Sequence, residues 1–233
     1  MINAVLTIDD IASKNTPAIV DCLNEKGIKC LMFAWGEMVE GHWDEAVYAL
    51  RHGMIVGNHS FTHPNFSQLS FEECTAEIEK CEAVLDRLYK EAGVERRYRP
   101  FRFPYGDKGG DNKQALQRYL SEHRFDKLDD RRIPYPWWKD FGFAEDIDTY
   151  WTFDFAEYNI RPGSGFTFDD VMKRIFDRTP GAGAPLLAEG GEHILLLHAH
   201  DETEELVPEY YKKFIDCLLG HGVTFIPPAF IGR

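Results

Sequence analysis

From one end to the other, the chain alternates short apolar, β-branched runs with stretches of helical periodicity, and no other feature constrains its fold as strongly. Residues 3–8 (NAVLTI) form an apolar run that stops at two aspartates, the pattern of a parallel strand buried on both faces. A helical period follows over 16–25 and ends at Gly27, and a second apolar run spans 28–33. Strand, helix and strand at this spacing make a βαβ unit. Further helices are predicted near 43–52, 70–92, 111–122, 168–178 and 204–219. Further strands are predicted at 54–56, 99–103, 149–154, 193–198 and 223–226, and a looser aromatic stretch covers 125–146. About seven strands, nearly all separated by helices, predict an α/β fold, a closed or nearly closed β/α barrel being favoured over an open doubly wound sheet. The sequence has no linker or low-complexity segment, so residues 1–233 are read as one domain.

Composition narrows the partners. Lys and Arg total 26 against 39 Asp and Glu, a formal charge of −13. A surface so acidic repels a phosphate backbone, and nucleic acid is not expected as a partner. The five cysteines, Cys22, Cys30, Cys74, Cys81 and Cys217, are scattered without a CxxC pair, which fits reduced, mostly buried thiols. Met1-Ile2-Asn3 leads straight into the first strand with no basic n-region, and no apolar run approaches membrane-spanning length. The expectation is a cytoplasmic protein without a membrane span, although a secreted protein trimmed of its signal would read the same.

In a β/α barrel the chemistry sits on the loops at the C-terminal mouths of the strands, so the polar groups that follow each strand are the candidates. Asp9 and Asp10 follow the first. Two adjacent carboxylates raise each other's pKa unless something positive lies nearby. A metal ion would supply that charge, and a turn or helix N-cap accounts for the pair equally well. The third strand runs into His59-Ser60-Phe61-Thr62-His63-Pro64. Histidines four apart fall on one side of a single helical turn, where both rings reach one ion, and Zn²⁺ accepts imidazole nitrogen together with carboxylate oxygen. The fourth strand carries Arg102, followed by Pro104-Tyr105-Gly106. Arg102 wants a carboxylate partner there, and the turn can aim the Tyr105 backbone N–H at a ligand; an ordinary turn with an exposed arginine is the simpler reading of that segment alone. The last long strand ends in His198-Ala199-His200-Asp201, of which His200 can be a plain loop residue.

Asp9-Asp10, His59-Ser60-x-x-His63, Arg102-x-Pro104-Tyr105 and Leu196-x-His198 together resemble, in order and approximate spacing, the motifs of the polysaccharide deacetylase family, the NodB-type domain of family 4 carbohydrate esterases. The resemblance runs from about residue 3 to 226. It implies a distorted, incomplete (β/α) barrel and a hydrolase that removes an N-acetyl group from a sugar or an oligo- or polysaccharide. It further implies a divalent metal held by Asp10, His59 and His63, with Zn²⁺ first and Co²⁺, Ni²⁺ or Mn²⁺ as alternatives. Asp9 matches the family's general base, Arg102 the arginine that orients it, the Tyr105 N–H the oxyanion donor, and His198 the general acid. An N-acetylated carbohydrate is the implied partner.

The chain departs from the family pattern at three places. Ile11 stands where the family usually has Gly after its paired aspartates. Trp151-Thr152-Phe153-Asp154 is followed by Glu157-Tyr158, which leaves Glu157, Asp154 or Asp148 as the carboxylate that orients Arg102. Ala199 follows His198, so the acid's own partner is open. Trp35, Pro104 and Trp151 are candidate walls for the substrate, whereas core packing is the commoner role for aromatics such as Tyr135, Trp137 and Trp138. His42, His52, His123, His193 and His221 are read as ordinary surface residues. Thr167-Phe168-Asp169-Asp170 matches the first motif more closely than Thr7-Ile8-Asp9-Asp10, yet it opens a helical period, where Thr167 is an N-cap. Two other functions stay open: the same site acting on another linear or cyclic amide, such as a formyl group or a ureide ring, and an inactive sugar-binding protein that keeps the metal ligands.

Overall fold

A computed structural model describes residues 1–231, centred on a six-stranded parallel sheet. The first strand, β1 (Ile2–Ile11), is followed by α1 (Thr16–Glu25), β2 (Leu31–Ala34), α2 (Gly36–Gly41), α3 (Trp43–Arg51), β3 (Ile55–Asn58) and α4 (Phe71–Ala92). Then come α5 (Lys113–Glu122), α6 (Pro136–Asp140), β4 (Phe153–Asp154), α7 (Phe168–Phe176) and β5 (Glu192–His198). The last elements are α8 (Asp201–Leu206), α9 (Tyr210–Gly220) and β6 (Val223–Phe225). The strand order is β3-β2-β1-β5-β4. β1 is long enough for one edge to serve two partners: β6 pairs with it from Ile2, and β2 from Thr7. Covered on both edges and both faces, β1 is buried at all but one of its positions, as the unbroken apolar run requires.

Two of the predicted strands are much reduced. The expected strand at 99–103 is a single bridge between Phe101 and Asn58, because Pro100 and Pro104 bracket it and neither has an N–H to give a ladder. The expected strand at 149–154 keeps regular pairing only at Phe153–Asp154. The ring nevertheless continues, since the Thr149 N–H donates to the Phe101 carbonyl at 2.8 Å and the Thr152 N–H to the Ile194 carbonyl at 2.9 Å. This is a distorted barrel whose weak side is stitched by isolated hydrogen bonds.

Register sets the functional end. Asp9 stands level with His198 on the neighbouring strand, and Ala34 level with Asn58, so Trp35 and His59 leave the sheet side by side. α4 holds that end from outside. A capping box starts it, Ser70 N donating to Glu73 Oε2 at 2.8 Å and Glu73 N to Ser70 Oγ at 3.3 Å, and Gly93, at φ 70°, ends it. From this helix, Glu77 Oε2 accepts the N–H groups of Phe61 and Thr62 at 3.0 and 2.7 Å, which pins the loop after β3. The second Asp pair is indeed a helix start: Asp170 Oδ2 accepts from Thr167 N at 2.9 Å. Four of the free cysteines are buried. Among the described residues, no helix is long and apolar enough to cross a membrane.

Candidate metal centre

The His59–His63 segment is not the helical turn its spacing predicts. Ser60 and His63 take left-handed backbone, φ 66° and 59°, and the bend is fastened by Ser60 N to Asn58 Oδ1 at 2.8 Å and His63 N to Ser60 Oγ at 3.1 Å. The two rings converge all the same, Nε2 facing Nε2 at 3.2 Å. Asp10, at φ 60°, brings Oδ1 to 3.3 Å from His63 Nε2 and 3.7 Å from His59 Nε2. With Tyr105 (φ 58°), four left-handed non-glycine residues border this one site. Each conformation costs about 1–3 kcal/mol and persists only where the surroundings impose it.

Protonation states follow from partners. His59 Nδ1 lies 2.8 Å from the Arg102 carbonyl, which can only accept, so Nδ1 carries a hydrogen and Nε2 is the nitrogen turned to the site. Burial, with the neighbouring His59, pushes His63 down to about 4, so it is neutral at neutral pH. Burial alone would raise the Asp10 carboxyl, but the hydrogen bond from His200 and the fields of His59, His63 and His198 outweigh it and hold the group far below the usual carboxylate range. His200 Nε2 donates to Asp10 Oδ2 at 2.8 Å, leaving the buried Oδ1 without a hydrogen-bond partner. An ionised oxygen and two imidazole Nε2 atoms gathered within one site, with the oxygen unsatisfied, fit a divalent cation.

Two charge pairs adjoin this triad. Arg102, fully buried, donates from Nη1 to Asp9 Oδ1 at 2.6 Å and to Thr7 Oγ1 at 2.8 Å, and from Nε to the Thr149 carbonyl at 3.0 Å. Asp9 Oδ2 lies 3.4 Å from His59 Nε2. On the other pair, Glu157 Oε1 accepts the His198 N–H at 2.6 Å and faces His198 Nδ1 at 3.1 Å. Burial opposes charge on His198, but the Glu157 carboxylate prevails and pushes the ring up to about 10.

None of the three carboxylates that the sequence offers to Arg102, Glu157, Asp154 and Asp148, is bonded to it. Arg102 leaves the Phe101 bridge toward β1, where Asp9 is the carboxylate in reach, whereas Glu157 follows β4 and meets the end of β5. Asp148 is taken by Lys108 Nζ at 2.8 Å, and Asp154 accepts from Ala156 N at 2.7 Å. The open partner of His198 is therefore Glu157.

A cavity of about 390 Å³ opens over the triad. Asp9, Asp10, His59, His63, His198, Tyr105, Trp35 and Trp151 line it, together with His200, Tyr158 and Asp154, while Arg102 and Glu157 stand behind the wall. Pro104, read as a substrate wall, is buried and does not reach the cavity; it shapes the turn that presents Tyr105. Trp35 stacks on the His63 ring at 4.8 Å and 22°, and Tyr105 meets that ring edge-on at 4.6 Å. His193 is not a surface residue: it is buried, bonded to Tyr135 Oη and Thr152 Oγ1 at 3.1 Å each, and pushed by burial down to about 4. Trp138 is core, its Nε1 donating to Asp130 Oδ2 at 2.8 Å. His200 is the functional-site residue that sequence reasoning passed over, although the His-x-His spacing at a strand end gives both rings the same side.

A parallel β/α barrel with a carboxylate–imidazole site at its mouth defines the class. The family model described as polysaccharide deacetylase matches residues 3–121, just over half of the 233 residues. The chain belongs to the polysaccharide deacetylase family. A peptidoglycan-N-acetylglucosamine deacetylase from Bacillus cereus is 33% identical over 103 residues, which are 44% of this chain and 36% of the relative, so the match spans about a third of that protein's length. Among solved structures, the Bc1960 peptidoglycan N-acetylglucosamine deacetylase aligns with a TM-score of 0.65 at 23% identity, covering 97% of this chain and 85% of that one. A family 4 carbohydrate esterase from Streptomyces lividans in complex with acetate aligns at TM-score 0.62 and 19% identity, covering 96% and 91%. A CE4 family pseudoenzyme from Bacillus anthracis aligns at 0.60 and 22%, covering 96% and 63%. At these identities the structural likeness is one of fold.

Proposed function

We propose that the chain is a metal-dependent carbohydrate N-deacetylase that hydrolyses the acetamido group of an N-acetylglucosamine unit in an oligo- or polysaccharide. Asp10 Oδ1, His59 Nε2 and His63 Nε2 would hold a divalent ion, with Zn²⁺ the best match to two imidazoles and a carboxylate. Such an ion supplies Lewis-acid polarisation of the amide carbonyl and a more acidic water. The protein's own groups do the rest. Arg102, itself anchored on Thr7 Oγ1, fixes Asp9 Oδ1 from behind and leaves Oδ2 to take the proton of the attacking water. The Tyr105 backbone, turned outward by its positive φ, offers its N–H to the developing oxyanion. His198, held as imidazolium by Glu157, gives its proton to the departing amine.

The observation that carries this reading is the pairing itself: a carboxylate clamped by arginine and an imidazole clamped by carboxylate, both lining the cavity over the triad. A base and an acid of opposite charge suit amide hydrolysis, in which one group removes a proton and the other returns one. The same pairs favour turnover over an inactive sugar-binding role. The test is acetate release from N-acetylglucosamine oligomers and peptidoglycan fragments, with metal content measured on the same sample. Acetate release by wild type, and release about 10²–10⁴-fold slower by Asp9→Asn at equal metal content, is the expected result. Bound metal without acetate from any of these substrates overturns it.

A further inference from the structure

Left-handed backbone at Ser60 and His63 breaks the hydrogen-bond ladder a helical turn would make, so the four N–H groups from Ser60 to His63 need acceptors elsewhere. Those of Ser60 and His63 find them close by in the chain, on Asn58 Oδ1 and Ser60 Oγ. The two between, on Phe61 and Thr62, both donate to Glu77 Oε2, and Thr62 Oγ1 donates to Glu77 Oε1 at 2.9 Å. A second grip from the same helix passes through Asn58, whose Nδ2 donates to the Ile78 carbonyl and to Glu82 Oε1 at 2.9 Å each. The loop's own carbonyls are taken by the start of α2, where Gly36 N and Glu37 N donate to those of Ser60 and Phe61 at 3.0 Å each. The fit there is close, since a Cβ on Gly36 would come within 2.6 Å of the Phe61 ring. Bonds inside the loop move with the loop, and α2 and α4 fix it to the frame. α2 does so through main chain that any residue supplies, whereas α4 grips the bend directly through one side chain, Glu77.

We propose that Glu77 is a positioning residue of the metal centre: by clamping Phe61 and Thr62 it keeps His63 turned to His59 in the metal-free protein, and so sets the metal affinity. The inference rests on the metal reading above and adds a residue that does not line the cavity. A loop free to leave the left-handed backbone at Ser60 and His63 has to regain it on binding, and apparent affinity falls by the fraction of molecules that hold the bent form. Once both rings ligate an ion, the bend is held from that side as well. The loss is therefore one of affinity and not of turnover in the loaded protein. Glu77 also brings a negative charge, which favours a nearby cation whatever the carboxylate is bonded to, so charge and clamp have to be separated.

Three variants separate them, with Zn²⁺ affinity of the folded protein measured by competition against a chromogenic chelator. Glu77→Ala removes every bond of the clamp from a helix position that alanine suits, and should bind Zn²⁺ about 10–100-fold more weakly than wild type, while acetate release at saturating Zn²⁺ stays within about threefold. Glu77→Gln loses the charge and keeps an acceptor oxygen, so its affinity should stay within about threefold of wild type. Glu79→Ala removes a carboxylate from the same helix that is bonded to Tyr119 Oη instead of the loop, and its affinity should stay within about twofold. Wild-type affinity in Glu77→Ala, even with a lowered Tm, makes Glu77 a prop of the fold and overturns the proposal. Equal losses in Glu77→Ala and Glu77→Gln overturn it too, because charge then accounts for the effect. A wild type that binds no Zn²⁺ fails the metal reading itself, a result distinct from either of these.

Discussion

Glu157→Gln tests the charge arrangement while keeping the shape of the side chain. Glu157 is fully buried, and its Oε1 meets His198 N at 2.6 Å and Nδ1 at 3.1 Å. A glutamine oxygen can still accept both bonds, so what is lost is the negative charge that keeps His198 protonated. His198 is pushed up to about 10 in the fold, against burial, from about 6.5 in the unfolded chain. A raised imidazole pKa stabilises the fold fully below about pH 6.5, and the effect disappears as pH rises through about 10. Breaking a buried pair costs about 3–5 kcal/mol, and the retained hydrogen bonds place this variant at the low end, about 3 kcal/mol near pH 6. At about 2–4 °C per kcal/mol for a chain of 233 residues, Tm should fall about 6–12 °C near pH 6, and the gap should close toward pH 10. Thermal melts of chelator-treated wild type and variant across that range measure it. A gap that is absent near pH 6, or equally wide near pH 10, refutes the pairing argument. The alkaline limb of acetate release should also move to lower pH in the variant, since less of the acid is then protonated.

The remaining predictions concern the metal and the base. Asp9→Asn should lower acetate release about 10²–10⁴-fold with unchanged metal stoichiometry by equilibrium dialysis, and activity near wild type would remove Asp9 as the base. His59→Ala should lose metal and activity together; full metal occupancy in that variant would remove it from the ligand set. His200→Ala frees Asp10 Oδ2 and should weaken metal binding about 10–100-fold in a competition titration with a chromogenic chelator, an unchanged affinity ruling out its role in holding Asp10. Zn²⁺ at a hundredfold its dissociation constant should stabilise the apo protein by about 2.7 kcal/mol, a Tm rise of about 5–11 °C that Asp10→Ala should abolish; a flat melt in wild type refutes the site.

What could be read from the sequence was what is local. α4 was legible at both ends because Ser70, Glu73 and Gly93 are cap signals, and β1 and β5 because unbroken apolar runs of that length have no other home. Phe101 and Thr149 have the apolar or β-branched side chains of strand residues, yet pairing depends on where Pro100 and Pro104 put the backbone relative to β3. Partners were the least legible of all. Arg102 and Asp9 are 93 positions apart, and His200 and Asp10 are 190 apart, so nothing local distinguishes Asp9 from Glu157 as the mate of Arg102 or separates His200 from a solvated loop residue.

In a regular strand, consecutive side chains point to opposite faces, so Asp9 and Asp10 should not serve one cavity. They do, because the pairing of β1 with β2 slips between Ile8 and Ile11 and Asp10 turns to φ 60°, an irregularity of the kind that re-aims side chains beside active sites. Asp9 keeps the strand's direction and reaches Arg102, while Asp10, rotated out of alternation, reaches His63 and His200. Two like charges can then sit side by side, each with its own cationic or metal-binding surroundings. The doublet announces the site, and the broken strand beneath it lets the two carboxylates take different roles.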